Sequence, residues 1–300
     1  MDILHLTYFI EVARQKSFTK ASQFLHVSQP SISKVIKTLE NELGVTLFER
    51  LGREIELTDV GKAVFKRAQS VVSEFHDLSS EIHDVVNIKH GEITIGLPPM
   101  VGSRFFPSVI GAFKKAYPQV MLKLIEVGSK QVELDVKNGL LDIGVIALPL
   151  TESEIESFTF VKEELRAVLP IDHPLANRAT LSLAELKDED FILYSNDFSL
   201  NGLIYKECQK NNFSPNIVCQ SSQWDFIAET VNARLGIALL PETICKELDD
   251  KKCINIPLNN ASIPWNLAII WKKNKYQSFA TREWLKLCKQ HFKNRYPNKA

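Results

Sequence analysis

Ser28-Gln29-Pro30-Ser31-Ile32-Ser33-Lys34-Val35-Ile36-Lys37-Thr38-Leu39-Glu40-Asn41-Glu42-Leu43 reads as a helix with two unlike faces. Ile32, Val35, Ile36, Leu39 and Leu43 recur at helical spacing and form one apolar stripe. Ser28 is a favourable N-cap, and Gln29 and Pro30 fall in the first turn, where a proline sacrifices no hydrogen bond. The other face carries Gln29, Ser31, Ser33, Lys34 and Lys37. Hydroxyls, an amide and two cations are the groups with which a helix approaches a phosphate backbone and reaches base edges beyond it. An ordinary surface helix shows the same stripe, so the neighbouring segments decide between the two readings.

Upstream, Leu6, Phe9, Ile10 and Ala13 line one side of a first predicted helix. Ser17 caps a second over 18–25, with Ala21, Phe24 and Leu25 turned inward, and His26 and Val27 make a tight turn into the run at Ser28. Two short helices and a turn, the second helix polar on its outer face, form a helix-turn-helix whose second helix enters the major groove. Downstream, Gly44 ends the helix. Residues 45–48 and 54–57 flank Glu49, Arg50, Leu51, Gly52 and Arg53, a hairpin-like wing whose two arginines suit phosphate or minor-groove contact.

These residues carry a resemblance. Ala21-x-x-x-Leu25-x-Val27-Ser28-Gln29-Pro30-Ser31-Ile32-Ser33, then Leu39-Glu40-x-x-Leu43-Gly44-x-x-Leu47-Phe48-Glu49-Arg50, then Leu57-Thr58-x-x-Gly61 resembles the signature of LysR-type transcriptional regulators. The resemblance implies a winged helix-turn-helix that binds double-stranded operator DNA as part of a homodimer or a homotetramer. Carried over by position, Gln29, Pro30, Ser31, Ser33, Lys34 and Lys37, with Ser28 at their cap, match the recognition helix, and Arg50 and Arg53 match the wing.

Thr58 caps a long segment in which Val64, Ala68, Val71, Phe75, Leu78, Ile82 and Val85 alternate spacings of four and three. That heptad seam predicts a helix that pairs with another helix. Similar regulators have a linker helix here that joins two DNA-binding units, so that two recognition helices read adjacent major grooves. The expected division is therefore 1–58 for DNA binding, 59–89 for the linker and dimerisation helix, and 90–300 for the remainder.

From residue 88 onward, strand-like and helical runs alternate. Strands are expected over 93–97, 120–127, 142–146, 164–170, 191–194, 217–219 and 236–240. Helices are expected over 103–117, 129–138, 200–211 and 223–233. Strict alternation predicts parallel pairing with helices covering the sheet. The runs at 141–145 and 235–239 look like equivalent strands of two halves. The resemblance extends over this region more loosely, as the periplasmic-binding-protein-like (type 2) effector domain of these regulators. It implies an α/β multidomain chain whose last part holds two subdomains, about 92–161 with 270–300 and about 162–269.

Ligands of open α/β sheets sit beyond the C-terminal ends of strands, near helix N-termini. That rule selects Pro99, Met100, Val101, Gly102 and Ser103 after the first strand, Gly128, Ser129 and Lys130 after the second, and Ala147 and Leu148 after the third. The second half adds Phe198, Ser222 and Trp224. Backbone N–H groups at Ser103, Ser129 and Ser222 could receive a carboxylate or phosphate oxygen, with Lys130 adding charge. Polar helix ends beside Met100, Phe198 and Trp224 suit a small anionic or amphipathic effector.

The totals narrow the function class. Of 300 residues, 45% are hydrophobic and 24% charged, and 36 basic residues balance 36 acidic ones. The first 60 residues hold seven cations against eight acids, so DNA contact must depend on where cations sit. No apolar run approaches a membrane span and no signal peptide is visible, so a cytoplasmic protein without a membrane partner is expected. There is no P-loop, GxSxG, HExxH or dinucleotide fingerprint, and neither an enzyme nor a cofactor is expected. His76, His83 and His90 are two turns apart, too far to share one metal ion. Some regulators of the resembled family sense oxidants with two cysteines, which singles out Cys208 and Cys219 as the alternative, although buried thiols are the expectation. RNA polymerase is the remaining expected partner.

Overall fold

The computed structural model describes residues 1–51, 54–85, 91–196, 198–259 and 263–295. The chain divides into two compact units, one of Met1–Ile88 with Asn138–Leu140 and one of Lys89–Lys137 with Leu141–Ala300.

In the first unit, α1 (Ile3–Gln15), α2 (Phe18–Phe24) and α3 (Gln29–Leu43) precede a hairpin of β1 (Phe48–Leu51) and β2 (Glu54–Leu57), and α4 (Asp59–Val85) follows. Local chemistry sets these boundaries. The Ser17 hydroxyl accepts from Lys20 N, Ser28 accepts from Ser31 N, and α3 ends where Gly44 takes a left-handed φ of 67°. Leu6, Phe9, Ile10, Val12, Ala21, Ile32, Ile36, Leu39, Leu47, Ala68 and Val72 form one buried core. The Phe9 ring meets Phe48 edge-on at 5.4 Å.

The apolar stripe of α3 is narrower than its periodicity predicts. Ile32, Ile36 and Leu39 are buried, Val35 is half-buried and Leu43 is exposed. Phe24, expected inward, is also exposed, because the face of α2 that meets the core is that of Phe18, Ala21, Ser22 and Leu25, and Phe24 lies off it. The wing strands include Glu49, Arg50 and Leu51, which were expected in the turn. Arg50 thus lies on β1, while Arg53 falls outside the described residues.

Leu47 joins the parts of this unit. The Glu40 carboxylate accepts from Leu47 N at 2.7 Å and Phe48 N at 3.3 Å, fixing the start of the wing to α3. Leu47 O accepts from Thr58 N at 3.0 Å, and the Thr58 hydroxyl caps α4 by accepting from Gly61 N at 2.9 Å. A Cβ on Gly61 would stand 2.1 Å from Leu47 O, so only glycine permits this approach of helix to strand.

The second unit runs through β3 (Gly91–Leu97), α5 (Pro99–Phe105), α6 (Pro107–Ala116), β4 (Val120–Glu126), α7 (Ser129–Lys137), β5 (Ile143–Ala147), β6 (Ile155–Pro170) and β7 (Leu181–Ser182). It continues with β8 (Asp190–Tyr194), α8 (Ser199–Lys210), β9 (Asn216–Ser221), α9 (Trp224–Asn232), β10 (Ala238–Pro241), α10 (Glu242–Cys245), β11 (Cys253–Asn259), β12 (Pro264–Lys272) and α11 (Phe279–Arg295). The strand order is β4-β3-β5-β12-β6-β11-β7, with β10 also on β6 and β8 paired with β9.

Wholly parallel pairing is the expectation that fails. β3 pairs in parallel with β4 and β5, but β12, β11 and β10 all run antiparallel to β6. The cause is β6, one 16-residue strand where the sequence predicts only 164–170. Its first half pairs with β12 and its second half with β10 and β11, with a register shift between Leu267 and Ala268 of β12. Because β12 begins at Pro264, the chain re-enters the first half of the sheet at residue 264 and not near 270. The runs at 141–145 and 235–239 do occupy similar places. β5 lies between parallel β3 and antiparallel β12, and β10 pairs antiparallel with β6 while the adjoining Ile237 bridges Phe191 in parallel.

The expected helix over 103–117 is two helices, since Pro99 and Pro107 each open one. Two buried carboxylates tie loops to this frame. Glu133 accepts from Thr151 N at 2.6 Å, Thr151 Oγ1 at 2.9 Å and Glu152 N at 2.9 Å. Glu163 accepts from the amide and hydroxyl of Thr243.

All four tryptophans, Trp224, Trp265, Trp271 and Trp284, belong to the second unit, so their fluorescence reports its unfolding alone. Glu133→Ala should destabilise that unit by about 2 kcal/mol, the cost of orphaning buried donors. Urea titration read by tryptophan fluorescence checks this, and a loss under about 0.5 kcal/mol would assign the loop's order elsewhere.

Candidate operator-reading surface and effector cleft

The burial of Ile32, Ile36 and Leu39 turns the opposite side of α3 to solvent. Ser28, Gln29, Pro30, Ser31, Lys34 and Lys37 are exposed and Ser33 is half-buried. Two short contacts order this face. Gln29 Nε2 donates to Ser33 Oγ at 2.8 Å, and the hydroxyls of Ser28 and Ser31 lie 2.7 Å apart. An amide, hydroxyls and two cations thus stand on one helix face within about two turns.

Along α4 the predicted seam divides. Ala68 is buried and Val64 packs against the core of the first unit, so these two are occupied within their own chain. Val71, Phe75 and Leu78 are 49%, 49% and 55% exposed. Ile82 and Val85 lie on the same helix by their place in the chain. A row of large apolar side chains in water is the surface a partner helix covers.

The second unit contains a cleft of about 540 Å³ lined by Pro99, Glu126, Val127, Gly128, Lys130, Gln131, Phe198 and Ser222. Gly128 caps α7 by accepting from Gln131 N and Val132 N, each at 3.0 Å, so the first turn of α7 faces the cleft. Lys130 supplies one cation and Glu126 one anion; Pro99, Val127 and Phe198 supply apolar wall. Of the residues expected here, Pro99, Gly128, Lys130, Phe198 and Ser222 come together.

The others take different places. Met100 and Val101 are buried, and Gly102 packs close to Leu97. Ser103 is not at a helix N-terminus. It is the fifth residue of α5, whose start is set by Pro99, and its hydroxyl donates to Met100 O at 3.2 Å. Ser129 is buried, and its hydroxyl accepts from Ala147 N at 3.2 Å, joining α7 to the end of β5. Leu148 donates its amide to Asn266 O at 2.8 Å. Ser222 precedes the α9 cap Gln223, and Trp224 packs partly against the core.

Glu126, Val127 and Gln131 are cleft residues that the sequence reading missed: Glu126 and Val127 fall inside the strand expected over 120–127, and Gln131, in the first turn of α7, is one residue past Lys130. Tyr194 was missed as well. It is buried, its hydroxyl donates to Met100 Sδ at 3.2 Å, and its ring lies 5.9 Å from that of Phe198. It therefore holds the Phe198 wall against α5, and burial raises its phenol above the usual range.

Cys208 is buried in α8, and burial pushes its thiol up to about 12, away from the reactive thiolate. Cys219 lies half-buried in β9. Among the described residues, no group of three or more His, Cys, Asp or Glu side chains is arranged to hold a metal ion, and no helix is long and apolar enough to cross a membrane.

Comparison with known proteins agrees with this geometry. Residues 3–62 match the bacterial regulatory helix-turn-helix protein of the lysR family, and residues 88–293 match the LysR substrate binding domain. The HTH-type transcriptional regulator YwbI of Bacillus subtilis is 54% identical over 291 residues, 97% of each chain. The transcriptional dual regulator GltC of the same organism is 31% identical over 92% of each chain. The fold is that of full-length BenM (TM-score 0.60, 24% identity, 98% of each chain) and of a full-length OxyR variant from Pseudomonas aeruginosa (TM-score 0.64, 23% identity, 98% of this chain and 95% of that one). With both units matched and such relatives along its length, the chain belongs to the LysR family and is a DNA-binding transcriptional regulator with an effector-binding domain, not an enzyme.

Proposed function

We propose that this regulator reads its operator with Gln29, Ser31, Ser33, Lys34 and Lys37, and that a small anionic or amphipathic metabolite in the cleft around Lys130 modulates the outcome. The observation that carries the first part is the exposed polar face of α3 opposite a fully buried Ile32, Ile36 and Leu39. The amide of Gln29 suits an adenine edge, and the lysines suit phosphates. Arg50 and Arg53 extend the contact to the backbone or minor groove beside it. The second part rests on a cleft that joins a helix N-terminus, one lysine and an apolar wall. A metabolite bound there would favour one arrangement of the unit over another and so bias the DNA-binding head.

Val71, Phe75 and Leu78 would pair with a second copy through α4, bringing two recognition helices to one operator. Association of dimers into a tetramer, contact with RNA polymerase and a cytoplasmic setting belong to the same reading. The redox alternative loses support from the buried thiol of Cys208.

A duplex selected from a random pool with the full-length protein tests the DNA assignment. Lys34→Ala should weaken its binding about tenfold and flatten the salt dependence by close to one unit for each lost phosphate contact. Gln29→Ala should instead reduce discrimination at one base pair, by about 1–3 kcal/mol. Equal affinity and equal sequence preference in both variants would remove α3 from the interface.

A thermal-shift screen with small carboxylates tests the cleft, since a ligand that binds only the folded form raises its midpoint. A hit should lose most of its shift in Lys130→Gln while the unliganded midpoint stays in place. A shift that survives the substitution moves the ligand site elsewhere.

Native protein at pH 8 should leave Cys208 unalkylated by iodoacetamide over an hour, while urea-unfolded protein reacts fully. Mild peroxide should give no Cys208–Cys219 disulfide by mass spectrometry. Detecting that bridge would reinstate the thiol switch.

A further inference from the structure

Charge is distributed unevenly along this neutral chain. The last 30 residues hold nine cations, Lys272, Lys273, Lys275, Arg282, Lys286, Lys289, Lys293, Arg295 and Lys299, against the single acid Glu283. Four of them, Arg282, Lys286, Lys289 and Lys293, follow spacings of four, three and four on α11 and are all exposed. They form one stripe along one face of the helix. It is about 16 Å long, close to half a turn of duplex DNA.

Glu283 and Glu156 lie beside the stripe, and each is shared with another donor. Glu283 accepts from Tyr117 Oη at 2.8 Å and lies 3.6 Å from Lys286 Nζ. Glu156, across the shallow groove beside α11, accepts from Trp271 Nε1 at 3.0 Å. Lys289 Nζ stands 5.3 Å from the centre of the Trp271 ring and 5.6 Å from that of Phe158, which steers the side chain along the surface. Favourable placement of cations near a helix C-terminus accounts for Lys293, but not for Arg282 and Lys286, which lie in its first half.

The first 60 residues carry no excess of cations, yet the sequence-independent part of DNA affinity comes from neutralising phosphates. We propose that the stripe Arg282, Lys286, Lys289 and Lys293 on α11 is a second, sequence-independent DNA contact, through which the effector-binding unit holds the phosphate backbone of duplex DNA. The partner is a polyanion with closely repeated charge. The proposal rests on operator reading by α3 and adds a sequence-independent contact to it.

The test compares full-length protein with the fourfold variant Arg282→Gln, Lys286→Gln, Lys289→Gln, Lys293→Gln. A charge-matched control carries Lys187→Gln, Lys206→Gln, Lys246→Gln and Lys251→Gln, four lysines that are also exposed. Binding to a fluorescent mixed-sequence 60-base-pair duplex and to the selected duplex is titrated at several KCl concentrations. The stripe variant should bind both duplexes at least tenfold more weakly at low salt, keep the wild-type ratio between them, and show a log–log salt slope reduced by at least about 2. Stripe and control variants that change by the same factor, or a stripe variant within twofold of wild type, would overturn the proposal. Wild-type protein that fails to bind either duplex would instead overturn the operator reading.

Should the fourfold variant misfold, acetylation of the wild-type protein with and without the mixed-sequence duplex decides. Lys286, Lys289 and Lys293 should be protected at least threefold. Equal labelling would overturn the proposal and assign the stripe to another partner, such as an acidic protein surface.

Discussion

The second unit depends on one strand that serves both of its halves. The early residues of β6 hydrogen-bond to β12, and those from Leu165 onward to β10 and β11. A shared strand fixes how the two halves face each other more firmly than a flexible linker could, because backbone donors and acceptors along it are engaged in ladders. The cleft that holds Lys130, Gln131 and Phe198 is a product of that constraint. Residues from the start of α5, the end of β4 and the first turn of α7 meet the segment before α8, although about 70 residues separate Lys130 from Phe198. Tyr194 strengthens the meeting by spanning from β8 to Met100.

The first unit is organised by a shorter set of contacts. Leu47 presents its amide to Glu40 and its carbonyl to Thr58, and the absent side chain of Gly61 lets α4 come close. The helix α3, the wing and the start of α4 are thereby linked through one buried residue. A substitution at Gly61 would act on the wing without touching DNA, by pushing Leu47 away from its position.

Local signals were the most legible part of the sequence. Ser17, Ser28 and Thr58 cap helices, and Gly44 closes α3 in a left-handed conformation, because each effect is decided within three or four residues. The depth of burial was less legible. Phe24 and Leu43 share the apolar periodicity of their helices but lie past the edge of the core, and periodicity does not report where a core ends. The length of β6 was hidden for a related reason. Nothing in its sequence marks the change of partner at Glu164 and Leu165, since a strand continues smoothly while its neighbours alternate. The strands β11 and β12 and the helix α11 belong to this non-local class, and the antiparallel pairing of β12 is set by tertiary closure. In the cleft, Gly128, Lys130 and Phe198 followed from the strand-end rule, whereas Glu126 reaches it from the last position of β4 and Gln131 from one residue beyond Lys130 in the first turn of α7. Ser103 illustrates the opposite case, where a plausible cap is displaced because Pro99 starts the helix earlier.

The division of labour on α3 has an evolutionary consequence. Folding is satisfied by Ile32, Ile36 and Leu39, which no operator can touch, while positions 29, 34 and 37 meet mainly solvent in the free protein. On the proposed reading of the operator by α3, changes at those outer positions carry little folding cost, so target preference can drift, duplicate and diverge while the scaffold stays intact. The proposed reading head could therefore be retuned to a new promoter by a few substitutions, independently of what the proposed cleft has come to bind.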